Sequence, residues 1–301
     1  MARLTFDELF DSEFLSALEV FDLRIKRFIR QGRHGEQLSH DRGFGQEFKD
    51  FKAYVPGDDL RAVNWSIYQR LGRLFVHVFE EYQDLPVYLL VDLSKSMFLE
   101  DPPRIVAGLR TALALGAIAA GQHDIVSLFS FSDNLDMQTK PISSKGQLII
   151  LARQMAELDE LDRTNLSDVL DELSHQKLRR GLLVIVSDFF DPSGIEAIDD
   201  AIRKVRHKIL LIQLTKEEDA DPELNPEIVG DLRLVDCELD DAIDVTIEPQ
   251  VIREYKRIYG TFNEALIELA DSLGSGLVQI DCEKDILDQL SLMFQTRNLL
   301  V

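Results

Sequence analysis

Hydrophobic and polar positions follow two rhythms along this chain. From about Phe6 to Ile29, Phe10, Phe14, Leu18, Phe21, Ile25 and Phe28 recur at helical spacing, with Asp11, Glu13, Glu19, Arg24 and Arg27 between them. That pattern predicts one amphipathic helix packed on a domain. From Pro86 onward, short apolar runs take over: 85–91, 124–131, 181–186 and 208–214. They alternate with helical patterns over about 104–121, 146–156, 166–173 and 195–205. A short edge strand is expected at 135–138. A long helix over about 249–273, ended by Gly274, a last strand at 277–281 and a closing helix at 286–294 complete the series. Continuous apolar runs suit strands buried on both faces. Their alternation with helices predicts an α/β protein built on a doubly wound, mostly parallel sheet.

Between the two regimes lies a polar, glycine-punctuated stretch, Arg30-Gln31-Gly32-Arg33-His34-Gly35 and then Gly43-Phe44-Gly45. It lacks the G-x-x-x-x-G-K-[ST] spacing that cradles phosphates, so a P-loop is rejected and a mobile or partner-contacting loop is expected. Pro56-Gly57 fits the centre of a type II turn. Asp58 or Asp59 is placed to cap a short helix carrying Leu60, Val63, Asn64 and Trp65. Trp65, the only tryptophan, is expected to anchor this segment to the core together with Pro56 and Gly57. Arg61, Arg70, Asp58 and Asp59 are candidates for meeting a partner, because bases outnumber acids from Arg24 to Arg73. The expected organisation is an N-terminal segment of helix, loop and turn over 1–83, packed on a main domain over 84–301. An acidic insertion at 216–248 interrupts that domain.

The chemistry gathers at strand ends. The run from Leu85 to Val91 stops abruptly in Asp92-Leu93-Ser94-Lys95-Ser96, and the run from Gly181 to Val186 stops in Ser187-Asp188. In a doubly wound sheet these strands would be neighbours at the topological switch point, where such sheets bind ligands. Asp92, Ser94 and Ser96 alternate, so their oxygens can converge on a small hard cation. Neutral hydroxyls are weak ligands alone, and Asp188 with Thr164, in Asp162-Arg163-Thr164-Asn165, are the candidate partners. A metal-dependent phosphoester hydrolase working through Asp92 and Asp188 is the competing class. It fits less well, because phosphatases with an aspartyl nucleophile want a second Asp where Ser94 stands. Nor do the six histidines form H-E-x-x-H or another dense ligand spacing.

Charge narrows the partners. Against 33 Lys and Arg stand 54 Asp and Glu, a formal net charge of −21. That excludes a nucleic-acid binder driven by phosphate neutralisation and disfavours an anionic membrane surface. Cys237 and Cys282 give no disulfide framework and suit a reducing compartment. The N-terminus carries acids where a signal peptide would be apolar. No apolar stretch reads as a membrane span, so a cytoplasmic protein is expected.

The D-x-S-x-S element, the later Thr164 and the strand-terminal Asp188 resemble the metal-ion-dependent adhesion site of von Willebrand factor type A domains. Tyr54-Val55-Pro56-Gly57-Asp58-Asp59-Leu60-Arg61, with Asn64-Trp65 and Val186-Ser187-Asp188-Phe189, extends the likeness. Over roughly residues 30 to 300 the chain resembles the bacterial family catalogued as domain of unknown function 58. The resemblance implies a von Willebrand factor A-like fold. It implies that Ser94, Ser96 and Thr164 offer oxygens to Mg²⁺, or to Mn²⁺ or Ca²⁺, while Asp92 and Asp188 hold its waters. It further implies a partner that supplies an Asp or Glu to the ion. That partner would be a MoxR-type AAA+ ATPase or its client, in chaperone-like assembly or maturation of other proteins. Many members carry transmembrane helices ahead of the domain, which this sequence lacks.

Overall fold

A computed structural model describes residues 4–32, 46–56, 63–81, 84–99, 101–132, 135–137, 140–161, 165–225, 228, 230–237 and 242–295. Gly57, Asp58, Asp59, Arg61 and Thr164, and the loop glycines Gly35, Gly43 and Gly45, lie outside the described residues. The chain divides into two units, residues 1–34 with 86–301, and residues 35–85. The N-terminal helices therefore belong with the α/β unit, a boundary that differs from the one expected at 83/84.

Two helices open the chain where one was expected. In α1 (Phe6–Leu9) the Thr5 side chain accepts from the Glu8 amide and Glu8 answers through the Thr5 backbone, a closed capping box. Asp11 then accepts from the Phe14 amide at 2.8 Å and starts α2 (Ser12–Gly32). Two caps six residues apart break the amphipathic pattern at Phe10, although its apolar side survives: Phe10, Phe14, Leu18, Phe21 and Ile25 are all buried.

The smaller unit pairs β1 (Gln46–Ala53) antiparallel with β2 (Phe75–Glu81) and carries α3 (Trp65–Leu71) between them. The Asn64 side chain caps α3 by accepting from the Ile67 amide at 3.0 Å, so the helix starts later than expected and its cap is not an aspartate. Gly72, with φ 64°, ends it. Trp65 does not meet the expectation of a buried anchor. It is 57% exposed, and its ring meets Tyr68 edge-on at 6.1 Å. It opens a helix with no buried residue, and Tyr68 and Leu71, three and six positions on, are exposed beside it. Pro56 and Arg70 are exposed as well.

In the larger unit the chain runs β3 (Pro86–Asp92), α4 (Arg104–Gly121), β4 (Ile125–Phe131), β5 (Leu135–Met137), α5 (Leu148–Met155), α6 (Leu166–His175), β6 (Leu182–Ser187), α7 (Gly194–Ile202) and β7 (Lys208–Thr215). It continues through α8 (Glu217–Ala220), a hairpin of β8 (Gly230–Val235) and β9 (Ala242–Ile247), α9 (Pro249–Ser272), β10 (Gly276–Asp281) and α10 (Ile286–Gln295). Six strands form one sheet in the order β10-β7-β6-β3-β4-β5, parallel except for β5. The architecture is thus α/β with a mixed, mostly parallel sheet.

Strand alternation sends side chains to two layers of helices. Leu89, Val91, Val126, Leu128, Val184 and Ile212 face α2, α4 and α10. Leu90, Phe129, Ile185 and Leu211 face the layer built from α6, α7 and α9. The central helix α4 is long and apolar enough to cross a membrane, with 18 residues of mean hydropathy 1.4, contrary to the sequence expectation. Its apolarity serves the core, since 83% of that segment is buried. The acidic insertion also holds more order than expected. The apolar positions Leu232, Leu234, Ile243 and Val245 alternate with charges and pair across the β8–β9 ladder.

Candidate functional site

The site forms where β3 and β6, adjacent in the sheet, both end. Asp92 closes β3 and is fully buried. Its Oδ1 accepts the Ser94 amide at 2.9 Å, which turns the chain out of the strand. A 3-10 turn, Lys95–Met97, follows, and buried Leu93 and Met97 pin it to the core. The turn brings Ser94 Oγ within 3.0 Å of Ser96 Oγ.

On the neighbouring strand, Ser187 Oγ donates to Asp92 Oδ2 at 2.6 Å and accepts from the Phe189 amide at 2.9 Å. Asp188, also buried, accepts the Phe190 amide at 3.0 Å. Phe189 between them has φ 63°, a left-handed conformation that costs a bulky residue about 1 kcal/mol or more. Its wholly buried ring holds it there, inside the α6–α7 layer. The backbone is thus bent so that Asp188 and Phe190 diverge at the sheet edge. Sequence reasoning found Asp92 and Asp188 but missed Ser187, the hydroxyl that fixes Asp92; its only signal was its place beside Asp188 at the strand end.

A third segment reaches the same end of the sheet. The Leu161 amide donates to the Leu93 carbonyl at 2.8 Å, and the Asn165 amide to the Ser132 carbonyl at 2.9 Å. Asn165 caps α6 through the Asp168 amide, and Asp191 accepts the Leu166 amide at 2.6 Å and the Ser193 amide at 2.7 Å. The structure therefore brings together Asp92, Ser94, Ser96 and Asp188 and fixes both flanks of the segment that holds Thr164.

Electrostatics at this point are strained. Burial, and then the charge of Asp188, push the Asp92 carboxyl up to about 7, against the pull of its Ser187 and Ser94 hydrogen bonds. Buried Tyr259 on α9 lies within the field of Asp219, Arg104 and Asp188, and burial raises its phenol. Arg104, buried at the start of α4, pairs with Asp219 on α8 through two guanidinium nitrogens, at 2.5 and 2.8 Å.

Among the described residues, no three His, Cys, Asp or Glu side chains cluster as a metal cage would. The donors at the strand ends are of another kind, hydroxyls backed by two buried carboxylates. Their spacing fits a small hard cation. Neighbouring ligands on an octahedral Mg²⁺, each about 2.0–2.1 Å from the ion, stand about 2.9 Å apart, close to the 3.0 Å at which the two serine hydroxyls are hydrogen-bonded to each other.

An open α/β sheet with polar groups collected at the carboxyl ends of its strands places them where sheets of this class bind ligands. The chain belongs to the family described as protein of unknown function DUF58, whose match covers residues 50–262. It is 24% identical over 281 residues to the uncharacterized protein Mb1516 of Mycobacterium bovis, covering 91% of this chain and 87% of that one. Solved structures give a looser likeness. The hypothetical protein BatB from Bacteroides thetaiotaomicron aligns at TM-score 0.39 and 14% identity, over 70% of this chain and 99% of its own. A von Willebrand factor type A protein from Catenulispora acidiphila aligns at 0.42 and 10%, over 74% and 44%. Proximal thread matrix protein 1 from the mussel byssus, described with a zinc-occupied MIDAS motif, aligns at 0.34 and 13%, over 44% and 36%.

Proposed function

We propose that the strand-end site binds one divalent cation and, through it, a carboxylate of a partner protein. The 3.0 Å pair of serine oxygens carries the reading, because buried carboxylates alone would serve many structural ends. Ser94, Ser96 and Thr164 would hold the ion, with Asp92 and Asp188 holding its waters. Oxygen donors and retained water favour Mg²⁺ or Mn²⁺, with Ca²⁺ the larger alternative. Without a carboxylate bound directly, the ion stays electrophilic, and an Asp or Glu from outside completes its shell.

Binding fits these residues better than catalysis. Both Asp92 oxygens are occupied, one by the Ser94 amide and one by the Ser187 hydroxyl, so the carboxylate is poorly placed to attack a substrate. Following the family resemblance, the partner is a MoxR-type AAA+ ATPase or a client of one, and the role is chaperone-like assembly or maturation. The test is capture by immobilised protein from a bacterial lysate, with Mg²⁺ and with EDTA, beside an Asp188→Ala control. An ATPase retained only by wild type with Mg²⁺ is the expected result. Partners that stay bound through chelation would overturn the reading and leave Asp92 to Ser96 as a capped strand end.

A further inference from the structure

A cleft of about 550 Å³ opens directly beside the strand-end site. Ser96 stands at one end, Phe190, Phe262 and Val235 form its walls, and Asp191 and Asp236 lie on its lining. Its position follows from the local bend: Phe190, two residues past Asp188, is thrown outward by the left-handed Phe189. Phe190 is 40% exposed yet stacks on Phe262 with centroids 5.0 Å apart. Tyr259 and Tyr255 continue the aromatic row along α9, at 6.4 and then 6.2 Å. The hairpin contributes Val235, which is 61% exposed, to the same lining. Tyr255 and Ile258 prolong the apolar surface away from the cleft. Contiguous apolar surface of this kind marks interaction sites.

We propose that this cleft is the second half of the docking surface, taking a bulky apolar side chain from a partner segment whose flanking residues are basic. The inference rests on the metal-site reading above, because Ser96, one of the residues that would hold the ion, also lines the cleft. The occupant's chemistry follows from the lining. Aromatic walls favour an aromatic or branched aliphatic side chain. The carboxylates of Asp191 and Asp236, with no Lys, Arg or His among the described lining residues, favour a segment that brings positive charge. The chain's net charge of −21 acts in the same direction at longer range and argues against a second copy of this chain as the occupant. The partner epitope is thus an acid for the ion, an apolar residue beside it for the cleft, and Lys or Arg around both.

Selection of a random peptide display library on the full-length protein tests this. It is run with Mg²⁺ and with EDTA, on wild type, Phe190→Ser and Val235→Asp. Both substituted side chains are substantially exposed, so the fold should be kept, and a melting curve for each variant verifies that. Wild type with Mg²⁺ should enrich peptides in which Asp or Glu stands beside Phe, Leu, Ile or Trp among basic residues. The best such peptide, measured by fluorescence anisotropy, should bind Phe190→Ser roughly tenfold more weakly. Enrichment of the acid without the apolar neighbour, or equal affinity for the variants, overturns the cleft and leaves the metal reading standing. Enrichment that ignores EDTA and contains no acid overturns the metal reading, and the joint surface with it. A library that yields no enriched sequence overturns the surface as well.

Discussion

The buried Asp92 carboxylate is the sharpest handle on the site. Its burial, and then the charge of its neighbour Asp188, raise it from 3.8 to about 7. An acid whose affinity for protons is raised by folding destabilises the fold once ionised. The stability is fully present below about pH 4 and is lost as pH rises through about 7. A rise of that size corresponds to roughly 4 kcal/mol of penalty at alkaline pH, an upper figure because the two acids titrate together. Asp92→Asn removes the charge and keeps the shape. Ser187 Oγ, which now donates to Asp92, can accept from the new amide instead. In EDTA, urea unfolding of wild type should show stability falling between about pH 4 and pH 7 and levelling off above, while the variant's curve lies flatter by about 2–4 kcal/mol. Adding Mg²⁺ at about 100 times its dissociation constant should restore about 2.7 kcal/mol to wild type only. Parallel pH curves for the two proteins would refute the reasoning, since they would place no raised carboxyl at Asp92.

Three further substitutions probe the frame that carries the site. A Cβ built on Gly181 would stand 2.0 Å from the Pro86 carbonyl oxygen, so Gly181→Ala must move the start of β3 or β6. Urea titration should show a loss of about 2 kcal/mol or more. Arg104→Ala leaves Asp219 without its buried partner, and the melting temperature should fall in step with a loss of about 3 kcal/mol. Trp65→Ala removes an exposed ring whose aromatic contact is with Tyr68. It should cost less than about 1.5 kcal/mol, and a larger loss by calorimetry would show that the indole supports more than its own helix.

The sheet was legible because its strands are long, apolar and separated by helical patterns. A strand buried on both faces reads as an apolar run up to its end, so Asp92 and, after Ser187, Asp188 stood out as the acids that close such runs. Their adjacency followed from the switch-point rule and is seen in the β3–β6 ladder. Less was legible where local chemistry competes with periodicity. Thr5 with Glu8, and then Asp11, divide what the heptad-like spacing from Phe6 to Ile29 presents as one helix. The hairpin in the acidic stretch was hidden by its charge, although Leu232, Leu234, Ile243 and Val245 keep a period of two. Trp65 shows the limit of composition: a large ring implies burial only if its face is covered, and Trp65, Tyr68 and Leu71, three apart on α3, are all exposed. Ser187 was passed over because a hydroxyl that serves another side chain leaves no spacing pattern of its own.

The central claim is that hydroxyls at the end of β3 hold a divalent ion. Direct titration of Mn²⁺ into the metal-free protein, followed by its paramagnetic resonance signal, tests it most closely. Wild type should take up one ion per chain, Mg²⁺ should compete it away, and Ser96→Ala should bind at least tenfold more weakly with its circular dichroism unchanged, a loss of about 1.4 kcal/mol or more. Undiminished binding by Ser96→Ala would place the ion elsewhere and contradict the account.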